Sequence, residues 1–428
     1  MLSSSHSLQL LFLVTAALLT SANLQAKQPD LAALLAQGKL TEAAQGLEQE
    51  LTSPAANPSQ LNFRLGIVQL LQAFEKLGQT QYEFGLMNSS RISVPLFRLP
   101  LPNNPTPKQL TVTQMRQFIS TFLKDIKLAE STLATVKPSS DKLMLDLARV
   151  RIDLNSDGTA SPDESIFRII NVINGAQTPA QNTDSLQVSF DDGDVLWLRG
   201  YCNVLAAFCE IILAHDWTDL FERTAHLVFP GAETPYIWLL QERSSEQGFT
   251  IQNGLDVIAL IHCIHFEVID RDGMLRALKH LEQVTDLSRE SWELINAETD
   301  NDREWLPNPR QSAALNPQLR ITREMQSQWN LLLDEIDSIL RGDTLVPFWR
   351  GVTGSPLFNP NGPAFNPKLG INVRKIFTEP QTFDLVLWIQ GTGLHPFLET
   401  GPITQPERWQ QITSAFQGQF MMFALWIN

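Results

Sequence analysis

The sequence predicts a mainly α-helical protein, built as a multi-helix bundle with an N-terminal helical hairpin region and a small C-terminal part with short β-strands. Apolar residues recur at helical spacing up to about Leu340 of the 428-residue chain, which is typical of amphipathic helices. Prolines interrupt this pattern near Pro100, and Gly, Pro and Asn dominate after Arg350. These interruptions divide the chain into residues 27–94, 95–345 and 346–428, and its 43 % apolar content is ample for a core.

Residues 1–26 are predicted to be a signal peptide. An unbroken apolar or small run from Leu8 to Leu19 has the length of a signal core and is too short to span a bilayer. Small residues follow it, so cleavage after Ala22 or Ala26 is expected. The segment before the run lacks Lys and Arg, which leaves a buried N-terminal helix as the alternative. We therefore expect an exported protein, periplasmic or secreted.

The hairpin region, residues 27–94, has helical periodicity from Leu31 to Leu86. Gly38 separates two apolar helical segments, and a further helix is predicted over Ser59–Leu77. The GKLTEAA turn and the break at Pro54 resemble one tetratricopeptide-type helical hairpin over about 35 residues. A plain pair of antiparallel helices accounts for the pattern equally well.

The central region, residues 95–345, begins with five prolines between Pro95 and Pro107, which exclude a helix there. The nearly apolar segment from Asp194 to Ala214 contains Arg199 and Glu210, so it is predicted to be a buried core helix rather than a membrane span. The other predicted helices of this region are Thr111–Leu133, Asp141–Ile152, Thr218–Val228, Leu255–Val268, Gly273–Val284, Arg289–Glu298 and Arg323–Leu340.

The C-terminal region, residues 346–428, contains short β-prone runs. Phe383–Gln390 and Phe420–Ile427 are predicted strands, and we expect them to pair in a small sheet with Ile371–Phe377.

The composition of the chain limits the classes of partner that it can bind. The chain carries 46 acidic against 32 basic side chains, a net charge of −14. Nucleic acid and anionic membrane surfaces need a basic face, so neither is predicted as a partner. Charged residues make up 18 % of the chain, which argues against intrinsic disorder.

The segment from Asp153 to Glu164, DLNSDGTASPDE, matches the pattern D-x-[DN]-x-[DN]-G-x5-E at every constrained position. Ca²⁺ takes about six to eight oxygen ligands, and acidic or amide side chains at alternate positions of a loop supply them. Gly158 permits the sharp turn that brings these side chains together. Independently, Ser161-Pro162-Asp163-Glu164 is a helix start, with Ser as the N-cap and Glu three residues later.

The loop and its flanks, about residues 140–174, resemble an EF-hand. The resemblance implies helices on both sides of the loop and a Ca²⁺ ion held by six residues. These are Asp153, Asn155 and Asp157 through their side chains, Thr159 through its carbonyl, Ser161 directly or through water, and Glu164 through two oxygens.

The sequence departs from that family in two respects. EF-hands usually come in pairs bridged by a large apolar residue, and here that position is Ala160. The acidic fragments Asp191–Asp194 and Asp270–Gly273 are incomplete as loops and are interpreted as turns or helix caps. A lone loop favours a structural role for calcium over a sensor role.

Two further residue types bear on metals and redox chemistry. His262 and His265 are predicted on one helix face with Glu267 nearby, and a transition-metal site would need His215 or His226 to converge with them. Satisfied, partly buried histidines are the simpler interpretation. Cys202 and Cys209 lie too far apart on one helix to pair, which leaves open whether Cys263 joins one of them.

Taken together, the sequence predicts an exported calcium-binding protein without catalysis of its own, acting as a binding or scaffold module for an unidentified protein partner, with no membrane span in the mature chain. The alternative is a calcium-stabilised hydrolase with an acidic site around Asp302 and Glu304, in a charged segment beside Trp305.

Overall fold

The computed structural model describes residues 30–87, 99–139, 142–173, 185–240, 251–316, 320–350 and 369–416. Over these residues the protein is mainly α-helical, as predicted. The predicted cleavage region and the predicted strand Phe420–Ile427 lie outside the described residues.

Among the described residues, the N-terminal part contains four helices. They are α1 (Leu31–Ala36), α2 (Leu40–Leu51), α3 (Pro58–Glu83) and α4 (Val112–Leu133). Gly38 separates α1 from α2 with a φ of +68°, so the predicted break is confirmed. Thr111 and Gln114 form a capping box that starts α4 where the sequence predicted it.

A two-stranded antiparallel sheet follows. Its strands are β1 (Leu143–Asp146) and β2 (Gln187–Phe190), and a 3₁₀ turn (Pro162–Glu164) and α5 (Ile166–Ile173) lie between them. The prediction of a helix over Asp141–Ile152 is therefore wrong. Leu143 and Leu145 are buried while Met144 between them is exposed, and this alternation fits a strand that pairs with β2.

The remaining central elements include the longest helices. They are α6 (Asp192–Leu213), β3 (His215–Asp216), α7 (Thr218–Thr224), a 3₁₀ turn (Ala225–Leu227), a second 3₁₀ turn (Ile237–Leu240), α8 (Ile251–Cys263), β4 (His265–Val268), α9 (Arg271–Ala297) and α10 (Arg323–Arg341). The predicted helix Leu255–Val268 gives way to a strand after Cys263. The predicted helices Gly273–Val284 and Arg289–Glu298 are one continuous helix, because the residues between them contain no Gly or Pro.

Helix α6 is the core helix of the bundle and packs between α4 and α9. It is long and apolar enough to cross a membrane, yet 61 % of its most apolar window is buried inside the protein. The two charged residues in the middle of the helix are paired: Arg199 Nε lies 3.1 Å from Glu130, and both oxygens of Glu210 accept from Arg276 Nε at 3.0 Å. These partners explain how a buried helix tolerates two charges.

The C-terminal part mixes short helices and strands. They are β5 (Val346–Pro347), β6 (Gly370–Ile371), α11 (Val373–Thr378), β7 (Phe383–Asp384), α12 (Leu385–Gln390), a 3₁₀ segment (Thr392–Phe397), β8 (Leu398–Glu399) and α13 (Pro406–Ser414). The strand predicted over Phe383–Gln390 is wrong after Asp384, whose side chain accepts from Leu387 N at 2.8 Å and starts α12.

The predicted pairing of Phe383–Gln390 with Ile371–Phe377 is also wrong, while the pairing predicted for Phe420–Ile427 lies outside the described residues. Strand β6 pairs with β5 and β8, whereas β7 pairs with β4 of the central region. Ile371–Phe377, predicted as one strand, is a strand only at Ile371 and turns into α11 at Val373.

Candidate metal centre

The loop from Asp153 to Glu164 is closed at its base by backbone hydrogen bonds. Arg151 and Ser165 form an antiparallel bridge, and Ile152 N donates to the carbonyl of Glu164 at 3.2 Å. Ser161 and Glu164 form the predicted capping box, although one 3₁₀ turn precedes the regular helix at Ile166. The sequence therefore located the loop and its exiting helix correctly.

Inside the loop, the predicted ligand side chains accept hydrogen bonds from backbone amides of the loop itself. Asn155 Oδ1 accepts from Asp157 N at 3.0 Å, and Asp157 Oδ1 accepts from Thr159 N at 2.8 Å. Asp153 Oδ2 accepts from Gly158 N at 3.0 Å, and Gly158 has a φ of +83°. These bonds wrap the backbone around the acidic side chains, which is the shape that an oxygen-ligated cation requires.

Glu164 lies beneath the loop and is 5 % exposed. Its two oxygens accept from opposite sides of the loop, Oε1 from Leu154 N at 2.8 Å and Oε2 from Ser161 N at 2.7 Å. The last position of the motif is thus buried, with both carboxylate oxygens bound to backbone amides of the loop.

Asp153, the first position, has one carboxylate oxygen that the protein does not satisfy. Its Oδ1 is buried and has no hydrogen-bond partner within the described part of the chain. A buried carboxylate oxygen without a donor is costly unless a cation or another ligand compensates it.

Helix α3 supplies two side chains that sequence reasoning missed. Glu75 Oε1 accepts from Asp153 N at 3.0 Å, and Gln79 donates to the Asp153 carbonyl at 2.9 Å. Burial, reinforced by the charges of Asp153 and Glu164, raises the pKa of Glu75 to about 7, against the lowering effect of the Asp153 amide. The sequence gives only a weak signal of this contact between α3 and the loop. Gly78 of α3 has no side chain, and the Leu154 side chain packs at that position.

The turn between α1 and α2 covers the loop at Ala160. Arg151 N donates to the Leu35 carbonyl at 3.0 Å, and a Cβ added to Gly38 would lie 2.3 Å from the Ala160 Cβ. In paired EF-hands this position contacts the second loop. Here the N-terminal hairpin occupies the space, so a small residue is needed at Ala160.

The resemblance to an EF-hand stops short of the entering helix. The chain reaches the loop from β1 and a turn, so the described flanks are strand, loop and helix. The carboxylate oxygens of the loop also lie farther apart than the ligand oxygens around one bound cation would. Among the described residues, the acidic side chains whose ligand oxygens all lie within 4.8 Å of one another are Asp191, Glu298 and Glu304.

The predicted histidine pair is not on one helix. His262 lies in the last turn of α8, whereas His265 lies in β4 with its Nδ1 3.0 Å from Asp384 Oδ2. Within the described ranges, no group of three potential metal ligands includes a histidine. The three cysteines are free and buried, which answers the open question about Cys263.

The two acidic side chains of the predicted hydrolase site differ in their exposure. Asp302 is exposed, whereas Glu304 is 1 % exposed and accepts from Asp302 N at 2.6 Å. A cavity of about 220 Å³ lies elsewhere, between α3 and α4, with Lys76 and Asp125 in its lining. The hydrolase alternative therefore stays a prediction.

No family model, no curated protein and no solved structure matches this chain. Its function is therefore inferred from the chemistry of its own residues.

Proposed function

We propose that this protein is an exported calcium-binding protein whose loop 153–164 binds one Ca²⁺ ion in a structural role. The proposed ligands are those of the motif: Asp153, Asn155, Asp157, Thr159, Ser161 and Glu164. The mature chain is proposed to begin after the N-terminal apolar run and to act as a binding or scaffold module for a protein partner.

The observation that carries the proposal is the buried Oδ1 of Asp153, which lacks a donor among the described residues. A hard cation is the partner that such an oxygen needs, and the surrounding oxygens of the motif are the ligands that Ca²⁺ prefers. Asp157 has an exposed side chain, so it can move inward to complete the sphere at little cost in packing.

The surroundings favour a structural role. The loop contacts α3 through Glu75 and the α1–α2 turn through Ala160. Both contacts cross from the N-terminal hairpin region to the central region. An ion that orders the loop therefore stabilises the contact between these regions instead of exposing a new surface.

Binding is expected to be weak. With three carboxylates and no second loop beside it, the affinity should be that of extracellular modules, with a dissociation constant of roughly 10⁻⁴–10⁻³ M. Calcium at a hundred times that constant would add about 2.7 kcal/mol to the free energy of unfolding.

Calorimetric titration of Ca²⁺ into the chain from Lys27 tests the proposal, with a thermal melt at each end of the titration. Asp153→Asn and Glu164→Gln each remove one ligand charge with little change of shape. Asp163→Asn is the matched control, because this loop carboxylate has a 77 % exposed side chain and is not a ligand position.

We expect the wild type and the control to show a Ca²⁺ binding event and a calcium-dependent rise in melting temperature. Both ligand variants should lose this event and this rise. A wild type with neither, or ligand variants that bind as many Ca²⁺ ions per chain as the wild type, would refute the proposal.

A further inference from the structure

A second group of carboxylates lies at the N-terminus of α6, outside the loop. Asp191 is the N-cap of this helix, Glu298 follows the last residue of α9, and Glu304 lies in the segment after it. Asp191 is 9 % and Glu304 1 % exposed, and ligand oxygens of all three lie within 4.8 Å of one another. Residues far apart in the chain thus place three acidic groups in one buried position.

Each of these carboxylates is anchored through one oxygen by a donor outside the group. The anchoring contacts are Gly193 N to Asp191 Oδ1 at 3.0 Å, Gln311 Nε2 to Glu298 Oε2 at 2.9 Å, and Asp302 N to Glu304 Oε1 at 2.6 Å. Such outer hydrogen bonds are what orient the ligands of a metal site. Asp191 and Glu298 in addition share a hydrogen bond between their carboxyl groups, and a bound cation would take the place of its proton.

An independent observation points to a missing ligand. Ser189 is fully buried (0 % exposed), and its hydroxyl has no hydrogen-bond partner among the residues that the structure describes. A buried hydroxyl without a hydrogen-bond partner lowers the free energy of unfolding, so a ligand at this position would stabilise the protein.

The strand pairing directs this hydroxyl toward the carboxylates. Ser189 pairs with Glu304 in a parallel bridge, and paired residues project from the same face of a sheet. The next residues, Phe190 and Trp305, contact each other with ring centroids 5.5 Å apart, as side chains on the opposite face would. Alternation then returns Asp191 to the face that carries Ser189.

The charges around the group do not balance. Lys142 is the nearby cation and already forms an ion pair with Asp300. A divalent ion, or protons, would offset this excess of negative charge, to which the buried Asp194 beside the group adds.

We propose that Asp191, Glu298, Glu304 and the Ser189 hydroxyl form a second site, which binds one hard divalent cation of the Ca²⁺ or Mg²⁺ class. Only oxygen donors are present, which excludes a preference for softer metals. The ion would join the β1–β2 sheet to the start of α6 and the end of α9, and so stabilise the centre of the fold. This site is separate from the loop and does not depend on it.

The test uses the chain from Lys27 carrying Glu164→Gln, so that the loop is silent. Ca²⁺ and Mg²⁺ are titrated by calorimetry, and Tb³⁺ luminescence is excited through tryptophan, because Trp305 directly follows Glu304. The second substitutions are Glu298→Gln, Glu304→Gln and Ser189→Ala. Glu293→Gln is the matched control, since it removes the same charge from an exposed position of α9.

We expect one binding event and a Tb³⁺ signal in the Glu164→Gln chain. The binding affinity and the Tb³⁺ signal should each fall by at least about tenfold in Glu298→Gln and Glu304→Gln. They should fall less in Ser189→Ala and stay unchanged in the control. Whichever of Ca²⁺ and Mg²⁺ binds more tightly is the ion that the site prefers. Should Glu304→Gln fail to fold, Glu298→Gln decides the question, because Glu298 is only partly buried.

The proposal is overturned if the Glu164→Gln chain binds none of the three ions, in which case protons neutralise the group. It is equally overturned if binding survives both carboxylate substitutions. Failure of the loop to bind Ca²⁺ would leave this result untouched, because the wild-type chain would then show the second event alone.

Discussion

Gly38→Ala should weaken the contact between the N-terminal hairpin and the loop 153–164. Gly38 has a φ of +68°, a left-handed conformation that residues with a Cβ adopt at a cost. The added Cβ would also lie 2.3 Å from the Cβ of Ala160, far inside contact distance. One methyl group therefore perturbs both the backbone of the α1–α2 turn and its packing on the loop.

The magnitude follows from these two terms. A left-handed conformation costs roughly 1–2 kcal/mol for a residue with a Cβ. Relieving the overlap with Ala160 is a case of overpacking, which costs about 1–3 kcal/mol. We expect Gly38→Ala to lower the free energy of unfolding by about 2–5 kcal/mol.

Urea unfolding followed by far-UV circular dichroism measures the effect. Gly46→Ala is the matched control: Gly46 lies inside α2 with nothing within 4 Å of an added Cβ, so this change should stabilise the protein by up to about 1 kcal/mol. Combining Gly38→Ala with Ala160→Gly removes the overlap and should recover the steric term while leaving the backbone term.

A loss below about 0.5 kcal/mol in Gly38→Ala would contradict the reasoning, because it would place the effect within the range of ordinary surface substitutions. The absence of coupling between Gly38→Ala and Ala160→Gly would show that the hairpin does not rest on the loop.

Two further predictions concern titratable groups. The pKa of Glu75 is raised from 4.5 to about 7 in the folded chain, so without calcium the stability should fall as pH rises through that window. Glu75→Gln should flatten this fall and raise the free energy of unfolding at pH 8 by at most about 2 kcal/mol, because partial exposure screens the charge. The same substitution should weaken Ca²⁺ binding. Melting temperatures that depend on pH as in the wild type would contradict this prediction. Burial raises the pKa of the Cys202 and Cys209 thiols to about 12, so a thiol reagent at pH 8 should label them only after unfolding. Labelling of the native chain at the rate of a free thiol would disprove the burial of these residues.

Helices with local start signals could be predicted from the sequence. Thr111 and Gln114 mark the start of α4, and Gly38 marks the break between α1 and α2. Asp191 and Asp270, interpreted as caps and not as calcium ligands, are the N-caps of α6 and α9. Each signal acts within about four residues, so it needs no knowledge of distant parts of the chain.

The errors occur where a distant partner decides the local structure. Leu143–Asp146 is a strand because β2, some forty residues later, pairs with it. Phe383 and Asp384 are a strand because β4 lies beside them, while Asp384 starts a helix directly afterwards. Short apolar runs are compatible with either structure, and the packing decides between them.

The sequence by itself determined the chemistry of the loop, because its proposed ligands lie within twelve consecutive residues whose turn geometry is local. Only the tertiary structure decided what surrounds it: Glu75 beside Asp153, and the α1–α2 turn over Ala160. The same holds for the carboxylates at the start of α6. Asp191 and Glu298 are more than a hundred residues apart, and only the packing of α6 against α9 brings them together.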